Sequence, residues 1–229
     1  MILKFPNIKI FWDIDGTLLK TNGAAAAPFA VAVSNYLGRT VNINKKQFSG
    51  LTDYEIAIRL AEKIDISLSK TEVTQILGEY CKLLPSSLKS GNVEKVNDIE
   101  RTLNFIKTSN HLVSSIGSGN CIDGAKIKLA QVDLLKYFDL NNIYCSTEEN
   151  WKRELIIEKA KKSLKINQIG LIIGDSPRDI EVAKYLDMKV IGVASGSHTM
   201  AELAEYEPNL VLNYDWNFDM IVKAIYQVI

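Results

Sequence analysis

Two aspartates spaced two residues apart, Asp13 and Asp15, come directly after the apolar run at residues 8–12. Side chains two apart at the end of a strand project to the same side, so both carboxylates can face one site. Gly16 and Thr17 follow them, and the glycine permits a sharp turn with exposed backbone amides. A turn that simply ends a strand explains the same residues. Two carboxylates after a buried strand are nevertheless costly unless a cation satisfies them, so the pattern indicates a metal ion.

A second acidic segment, which contains Asp175, follows the apolar run at residues 169–173. Helix-start chemistry explains Ser176 as a cap and Asp179 in the first helical turn, but it leaves Asp175 unexplained. Because ligands bind beyond the carboxyl ends of parallel strands, Asp175 can approach Asp13 there. Oxygen ligands without histidine or cysteine suit Mg²⁺ better than zinc.

A third polar segment follows the apolar run at residues 112–116 and consists of Ser118, Gly119 and Asn120. It precedes a helical pattern, and a hydroxyl with free amides at a helix N-terminus forms a natural phosphate site. Serine and asparagine are also common helix caps, so the segment alone is a weak signal.

The candidate phosphate-binding cation is Arg153, at the start of the helical pattern that follows the apolar run at residues 143–145. The neighbouring Lys152 is the alternative, and the sequence does not choose between them. Taken alone, an exposed surface position is the simpler interpretation of either residue.

Short apolar runs alternate with helical patterns, and they predict buried parallel strands flanked by helices. The runs lie at residues 8–12, 112–116, 143–145, 169–173, 190–193 and 210–212. The helical patterns lie at residues 122–135, 154–164, 178–186 and 218–229. This alternation predicts an α/β fold with a Rossmann-like, doubly wound parallel sheet, which would bring the three polar segments to one edge.

The stretch from about residue 21 to residue 110 contains only helical patterns, as at residues 53–64 and 70–83. A βαβ crossover needs about a dozen residues plus its helix, so roughly 70 extra residues are too many for a loop. We therefore predict an inserted helical cap domain. The predicted core domain comprises residues 1–20 and 106–229, and the cap residues 21–105.

Composition narrows the functional classes. The 229 residues carry 27 basic and 27 acidic side chains, so there is no positive field to attract nucleic acid or an anionic membrane. Cys81, Cys121 and Cys145 form no CxxC pair, and no signal peptide or apolar run of about 18 residues is present. We predict a cytoplasmic protein, monomeric or a small homo-oligomer, that binds neither nucleic acid nor membranes.

Together the three segments and Arg153 resemble the haloacid dehalogenase superfamily over nearly the whole chain. Residues 13–17, DIDGT, are similar to its DxDGT nucleophile motif. Ser118 and Arg153 match its Ser/Thr and Lys/Arg positions, and Asp175 with Asp179 matches its terminal acidic motif. Among its branches, phosphoglycolate phosphatase-like proteins are most similar, through a TGN-like stretch at residues 118–120 and a GxTD-like stretch at residues 50–53.

The resemblance implies a Mg²⁺-dependent phosphatase that forms an aspartyl-phosphate. Asp13 would be the nucleophile, and Asp15 would protonate the leaving oxygen and then activate water. Asp13, the backbone carbonyl of Asp15, and Asp175 would bind Mg²⁺, with Asp179 supporting the metal site. The residues that would hold the phosphoryl group are Gly16, Thr17, Ser118, Gly119, Asn120 and Arg153.

Two alternatives to a phosphatase stay open. Sugar-phosphate mutases share every core residue of the motifs and differ in a cap that excludes water, although their Arg-bearing cap signature is not evident at residues 49–57. A catalytically silent binding or regulatory protein on the same fold is the other alternative.

The expected substrate is a small phosphorylated metabolite, because a cap over the site would exclude phosphoproteins and duplex nucleic acid. Leu51 stands where GxTD relatives often carry a basic residue, which weakens the case for phosphoglycolate. Lys45, Lys46 or Arg59 could supply that cation, although a solvated face also explains all three.

Overall fold

The computed structural model describes residues 6–43 and 48–229, and its centre is a six-stranded parallel sheet. The strands are β1 (Asn7–Trp12), β2 (Leu19–Lys20), β3 (Glu94–Lys95), β4 (Leu112–Cys121), β5 (Ile143–Ser146), β6 (Gln168–Gly174), β7 (Lys189–Val193) and β8 (Leu210–Leu212). The sheet has the order β5-β4-β1-β6-β7-β8, and every pairing in it is parallel. Strands β2 and β3 form a separate antiparallel pair.

Helices cover both faces of the sheet. They are α1 (Ala26–Leu37), α2 (Asp53–Glu62), α3 (Lys70–Ser90), α4 (Ile99–Thr108), α5 (Ile122–Gln131), α6 (Arg153–Lys161), α7 (Pro177–Tyr185), α8 (Met200–Ala204) and α9 (Phe218–Gln227). Side chains of α4, α5 and α9 pack with Ile8 and Ile10 of β1, whereas those of α6, α7 and α8 pack with Phe11 on the opposite face. This arrangement confirms the predicted α/β fold with a doubly wound parallel sheet.

Helices α1, α2 and α3 form a hydrophobic cluster of their own, to which Phe29, Leu60 and Leu84 contribute. Capping boxes start two of these helices: Thr52 with Glu55 at α2, and Ser69 with Glu72 at α3. Along the chain the three helices lie between β2 and β3, whereas buried side chains of α4 pack with the sheet. The division of the chain at residues 21–105 stays a prediction.

The register of the three central strands fixes where their polar segments begin. Trp12, the last residue of β1, pairs with Ile116 of β4 on one side and with Ile173 of β6 on the other. Because these strands run parallel, the residues after Trp12 and after Ile173 leave the sheet at the same edge. The polar segments that follow Trp12 and Ile173 therefore begin side by side at that edge of the sheet.

Several element boundaries differ from the predictions, and helix α3, for example, runs to Ser90 rather than to residue 83. Strand β4 runs on to Cys121, which pairs with Ser146 of β5 beyond an irregularity in register, so residues 118–120 lie in the strand rather than at a helix start. Helix α5 ends at Gln131, short of the predicted residue 135. Asp133 has a φ of 56°, a left-handed conformation that a helix cannot continue through.

The two short strands β2 and β3 and the short helix α8 are elements that the hydrophobic patterns do not predict. Residues 44–47, which include Lys45 and Lys46, lie outside the described part of the chain. Among the described residues, the search for a helix of sufficient length and apolar character to cross a membrane finds none.

Candidate active site

A cavity of about 530 Å³ opens at the carboxyl edge of the sheet, where the three predicted segments meet. Its lining includes Asp13 after β1, Ser118 in β4 and Asp175 after β6, and helices α1 to α3 supply the wall facing them. The backbone N–H of Asp13 donates to the carbonyl of Ile173 at 2.9 Å, which ties the start of the first segment to the neighbouring strand. Residues far apart in sequence therefore share one site.

Three buried carboxylates lie close together at the site. One oxygen each of Asp13, Asp175 and Asp179 can be chosen so that all three lie within 4.8 Å of one another. Burial raises the pKa of Asp13 from 3.8 to about 6; Arg153 opposes this rise, and the carboxylates of Asp179 and Asp15 add to it. Burial, together with the like charges of Asp13 and Asp179, also raises the pKa of Asp175 well above its usual range.

Arg153 is the cation that reaches this cluster. Both of its terminal nitrogens, Nη1 and Nη2, donate to Asp13 Oδ1 at 3.1 Å, and Nη2 also pairs with Asp179. Only 3% of the Arg153 side chain is exposed. Lys152 is exposed instead, and its ammonium group lies 4.8 Å from the centre of the Trp151 ring. The geometry thus brings Arg153, and not Lys152, into the site.

Asp15 points to a different set of partners from Asp13. Its Oδ2 accepts from Lys128 Nζ at 2.6 Å and from Asn120 Nδ2 at 2.8 Å. The turn that follows is closed by the N–H of Gly16, which donates to the carbonyl of Leu19 at 2.8 Å. The side chain of Asp15 is thereby held beside the acidic cluster, and its role in metal binding stays a prediction.

Two glycines allow close approaches that a side chain would block. Gly16 has a φ of 87°, and a Cβ there would lie 2.5 Å from Asp175 Oδ2. A Cβ on Gly119 would lie 2.8 Å from the carbonyl oxygen of Leu51, so β4 touches the backbone just before α2. Both positions therefore need glycine for the site to close.

The candidate phosphate-binding groups lie around Asp13, although one expectation about them is wrong. Ser118 is buried and accepts from Asn120 Nδ2 at 2.9 Å. The segment does not open a helix, because β4 continues to Cys121 and α5 begins only afterwards. Thr17 is fully buried, and its hydroxyl has no hydrogen-bond partner among residues 6–43 and 48–229.

The GxTD-like stretch joins helix α2 to the sheet. Thr52 caps α2, and its Oγ1 donates to the backbone carbonyl of Trp151 at 2.5 Å. Asp53 Oδ2 accepts from the backbone N–H of Cys121 at 2.8 Å. Burial raises the pKa of Asp53, with nearby Lys128 and the Cys121 N–H opposing that rise. These contacts hold the start of helix α2 next to the end of β4.

Lys128 is a site residue that the motifs do not indicate. It is 4% exposed, and it lies on α5 between the buried residues Ala125 and Leu129. The sequence does contain a signal for Lys128, namely a lysine on the core-facing side of an amphipathic helix. Ammonium groups are rarely buried without a partner, so such a lysine predicts a buried acidic partner.

The loop after β7 also contributes to the site. Ser195 Oγ donates to the Gly16 carbonyl at 2.7 Å, and a Cβ on Gly196 would lie 1.6 Å from Asp175 Oδ2. Serine and glycine after a strand are also typical of an ordinary turn, so the sequence alone does not indicate that this loop belongs to the site.

The acidic cluster fits a hard divalent cation. Three carboxylates are buried around a single guanidinium group, and all of the candidate ligands are oxygen atoms. Burying excess negative charge in this way is unfavourable unless a cation offsets it. Oxygen donors without histidine or cysteine are the ligands that suit Mg²⁺.

We expect the metal-free protein to become less stable as the pH rises. The folded pKa of Asp13, about 6, exceeds the ordinary value of 3.8, so the folded state binds more protons between these values. The stabilisation that Asp13 contributes is complete below about pH 4 and is lost as the pH rises through about 6. Urea unfolding in the presence of chelator would measure this at pH 5 and pH 7.5. Between these pH values the free energy of unfolding should fall more for wild type than for Asp13→Asn. An equal or smaller fall for wild type would contradict the prediction.

Comparison with known proteins agrees with the fold. A family profile described as haloacid dehalogenase-like hydrolase matches residues 10–193. No sequence among curated proteins matches the chain.

Solved structures share the fold at low sequence identity. A predicted phosphatase from Clostridium acetobutylicum has a TM-score of 0.69 at 20% identity, covering 96% of this chain and 99% of that one. A predicted phosphoglycolate phosphatase from Haemophilus somnus has a TM-score of 0.67 at 14% identity, with coverages of 97% and 99%. A candidate β-phosphoglucomutase from Bacteroides vulgatus also has a TM-score of 0.67, at 15% identity, with coverages of 99% and 90%.

The structural likenesses concern the fold, and the family profile extends from within β1 to the end of β7. That stretch contains Asp13, Ser118, Arg153 and Asp175, which the structure brings to one cavity. The chain therefore belongs to the haloacid dehalogenase-like hydrolase family.

Proposed function

We propose that this hydrolase is a Mg²⁺-dependent phosphatase that removes phosphate from a small metabolite through an aspartyl-phosphate on Asp13. One observation carries the proposal: a buried carboxylate, bound through one oxygen by both terminal nitrogens of Arg153, lies at the bottom of a cavity beside two further buried carboxylates. Structural neighbours described as predicted phosphatases support the same reaction class.

Charge neutralisation is the main demand of this reaction. A carboxylate that attacks a phosphate monoester brings like charges together, and two unit charges 4 Å apart repel by about 4 kcal/mol at an effective dielectric near 20. Left uncompensated, that repulsion would slow the attack about a thousandfold. Arg153 supplies one positive charge where the phosphoryl group would approach Asp13. Mg²⁺ bound by Asp13 and Asp175, with Asp179 nearby, would supply the remaining positive charge.

The proposed reaction has two displacements at phosphorus. In the first, Asp13 attacks the phosphorus atom, the bond to the leaving oxygen breaks, and protonated Asp15 gives its proton to that oxygen. In the second, ionised Asp15 takes a proton from water, which attacks the phosphorus of the aspartyl-phosphate. The bond between Asp13 and phosphorus breaks, inorganic phosphate leaves, and both aspartates return to their starting states.

The cavity suits a small substrate with an uncharged portion. Its volume is about 530 Å³, and several apolar side chains line it. They include Phe29, Phe48, Leu51 and Ile56. Arg59 is exposed and is not part of the cavity lining, so it does not supply the cation that a phosphoglycolate carboxylate would need. Lys20 and Lys128 are the lysines in the described lining.

Turnover of p-nitrophenyl phosphate and of a panel of phosphorylated metabolites tests the proposal. We expect phosphate release with Mg²⁺, loss of release with excess chelator, and the highest kcat/KM for a small phosphate ester. A folded protein that binds Mg²⁺ but cleaves none of these esters would contradict the proposal and favour the silent binding protein.

A mutase is the second candidate, favoured by the structural likeness to the candidate β-phosphoglucomutase. Both activities would use the same core residues and differ in the acceptor of the phosphoryl group. Incubation with glucose 1-phosphate separates them, since a phosphatase releases inorganic phosphate and a mutase produces glucose 6-phosphate. We expect inorganic phosphate to be the main product.

A further inference from the structure

We propose that Lys128 is a positioning residue that, together with Asn120, fixes the orientation of Asp15. The inference rests on the proposed function, in which Asp15 transfers a proton to the leaving oxygen. It assigns a task to a buried cation that lies outside the motifs of the active site.

Lys128 and Asn120 hold one oxygen of Asp15 from two directions. Lys128 Nζ lies 2.6 Å from Asp15 Oδ2, and Asn120 Nδ2 donates to the same oxygen at 2.8 Å. The two donors are themselves joined, because Nζ also donates to Asn120 Oδ1 at 2.5 Å. Three hydrogen bonds among three side chains leave the carboxylate little rotational freedom. Oδ1 of Asp15 is then the oxygen available for proton exchange.

The same network reaches the group that would hold the phosphate. Asn120 Nδ2 is also 2.9 Å from Ser118 Oγ, and Ser118 lines the cavity beside Asp13. Lys128 thus orients Asp15 directly and, through Asn120, relative to the phosphoryl site. General acid catalysis depends on such placement, because the acid must lie within hydrogen-bond reach of the atom that it protonates.

A connection to helix α2 runs through Asp53. Its carboxylate accepts from the backbone N–H of Cys121, the residue after Asn120. Asn120 in turn bonds to both Asp15 and Lys128. The contact from α2 therefore holds the backbone directly beside the residue that joins Lys128 to Asp15.

A purely structural role explains the burial of Lys128 less well than a positioning role does. Burying an ammonium group is costly, and a well-packed apolar side chain of similar volume is often as stabilising as a buried ion pair. Lys128 is 4% exposed, and its Nζ is directed at a cavity-lining acid rather than at solvent. This placement is what a residue that orients a reacting group requires.

The test compares two substrates that differ in their need for an acid. The leaving group of p-nitrophenyl phosphate is stable as an anion, whereas that of β-glycerophosphate needs a proton as it departs. We expect Lys128→Met to lower kcat/KM for β-glycerophosphate about 100-fold, the lower end of what acid catalysis contributes. The loss in kcat/KM for p-nitrophenyl phosphate should stay within about fivefold, because kcat/KM reports the first displacement, in which this leaving group needs no acid.

Two further variants keep the test decisive. In an Asp15→Asn background, adding Lys128→Met should cause no additional loss with β-glycerophosphate, because the residue that it positions is already disabled. Lys126→Met, on the same helix but only partly buried, is the matched control and should leave both activities unchanged. If Lys128→Met does not fold, Lys128→Gln, which keeps a donor without the charge, should show the same difference between substrates.

Equal losses with both substrates would indicate a purely structural role and overturn the inference. An unchanged rate with β-glycerophosphate, or a further loss in the Asp15→Asn background, would overturn it as well. Absence of turnover by the wild-type protein would overturn the proposed function, and the inference with it. Wild-type activity therefore separates the two failures.

Discussion

Asp13→Asn is expected to lower kcat/KM for p-nitrophenyl phosphate about a thousandfold or more in the presence of Mg²⁺. An amide is a very poor nucleophile toward phosphorus, so the first displacement has no attacking group. Loss of a catalytic nucleophile has effects of this size or larger in other enzymes. Steady-state kinetics over a range of substrate concentrations would measure it, and incubation with a rapidly cleaved substrate should show no phosphorylated protein.

The stability of this variant distinguishes a chemical effect from misfolding. Asp13→Asn removes one of three mutually repelling buried carboxylates, and Arg153 keeps its pairing with Asp179. In chelator we therefore expect a Tm no lower than that of wild type. Asp123→Asn, at an exposed position of α5, is the matched control and should retain full activity. An Asp13→Asn protein that is folded and retains more than a tenth of wild-type activity would contradict the assignment of the nucleophile.

Arg153→Met is expected to have the largest effect on stability. It leaves Asp13 and Asp179 without their shared cation, and removal of one partner of a buried ion pair costs about 3–5 kcal/mol. The loss in the free energy of unfolding should be greatest at pH 7.5 in chelator. It should shrink at pH 5, because Asp13, whose pKa already stands at about 6 in wild type, can then take up a proton. Urea unfolding at both pH values would measure it.

Lys152→Met is the control for this prediction, because it changes a neighbouring cation that is exposed to solvent. It should shift the free energy of unfolding by less than about 0.5 kcal/mol, as is usual for surface substitutions. The kcat/KM for p-nitrophenyl phosphate should differ between the two variants in the same way. We expect a loss of at least about 100-fold for Arg153→Met and little change for Lys152→Met. Similar behaviour of the two variants would show that Arg153 is not the cation on which the site depends.

The sheet and its acidic edge are predictable because their signals are local. Each of the six apolar runs is followed or preceded by turn-forming residues, and parallel packing places the carboxyl ends of strands at one edge. Asp13 and Asp175 therefore come together from the pattern alone. The structure confirms the α/β sheet and brings these two residues to one cavity.

Other parts of the site depend on contacts that a single segment does not contain. Strand β4 continues through Ser118 and Asn120 because its end pairs with Ser146 of β5, and no local pattern encodes that pairing. The choice between Lys152 and Arg153 depends on the rotation of one helix. Lys152 occupies the N-cap position of α6 without a capping hydrogen bond, and the next side chain, that of Arg153, is the one that reaches the acidic cluster.

The central position of β1 has a consequence for how the chain is made. Ile8 pairs with Leu112 on one side and with Ile169 on the other, so the ribosome completes the first strand long before either neighbour exists. Pairing over such separations is slow, because a long loop must close first. Until β6 emerges, the nascent polypeptide carries an apolar strand with an open edge, a form prone to aggregation. Truncation before residue 168 should therefore yield inclusion bodies rather than a smaller folded protein.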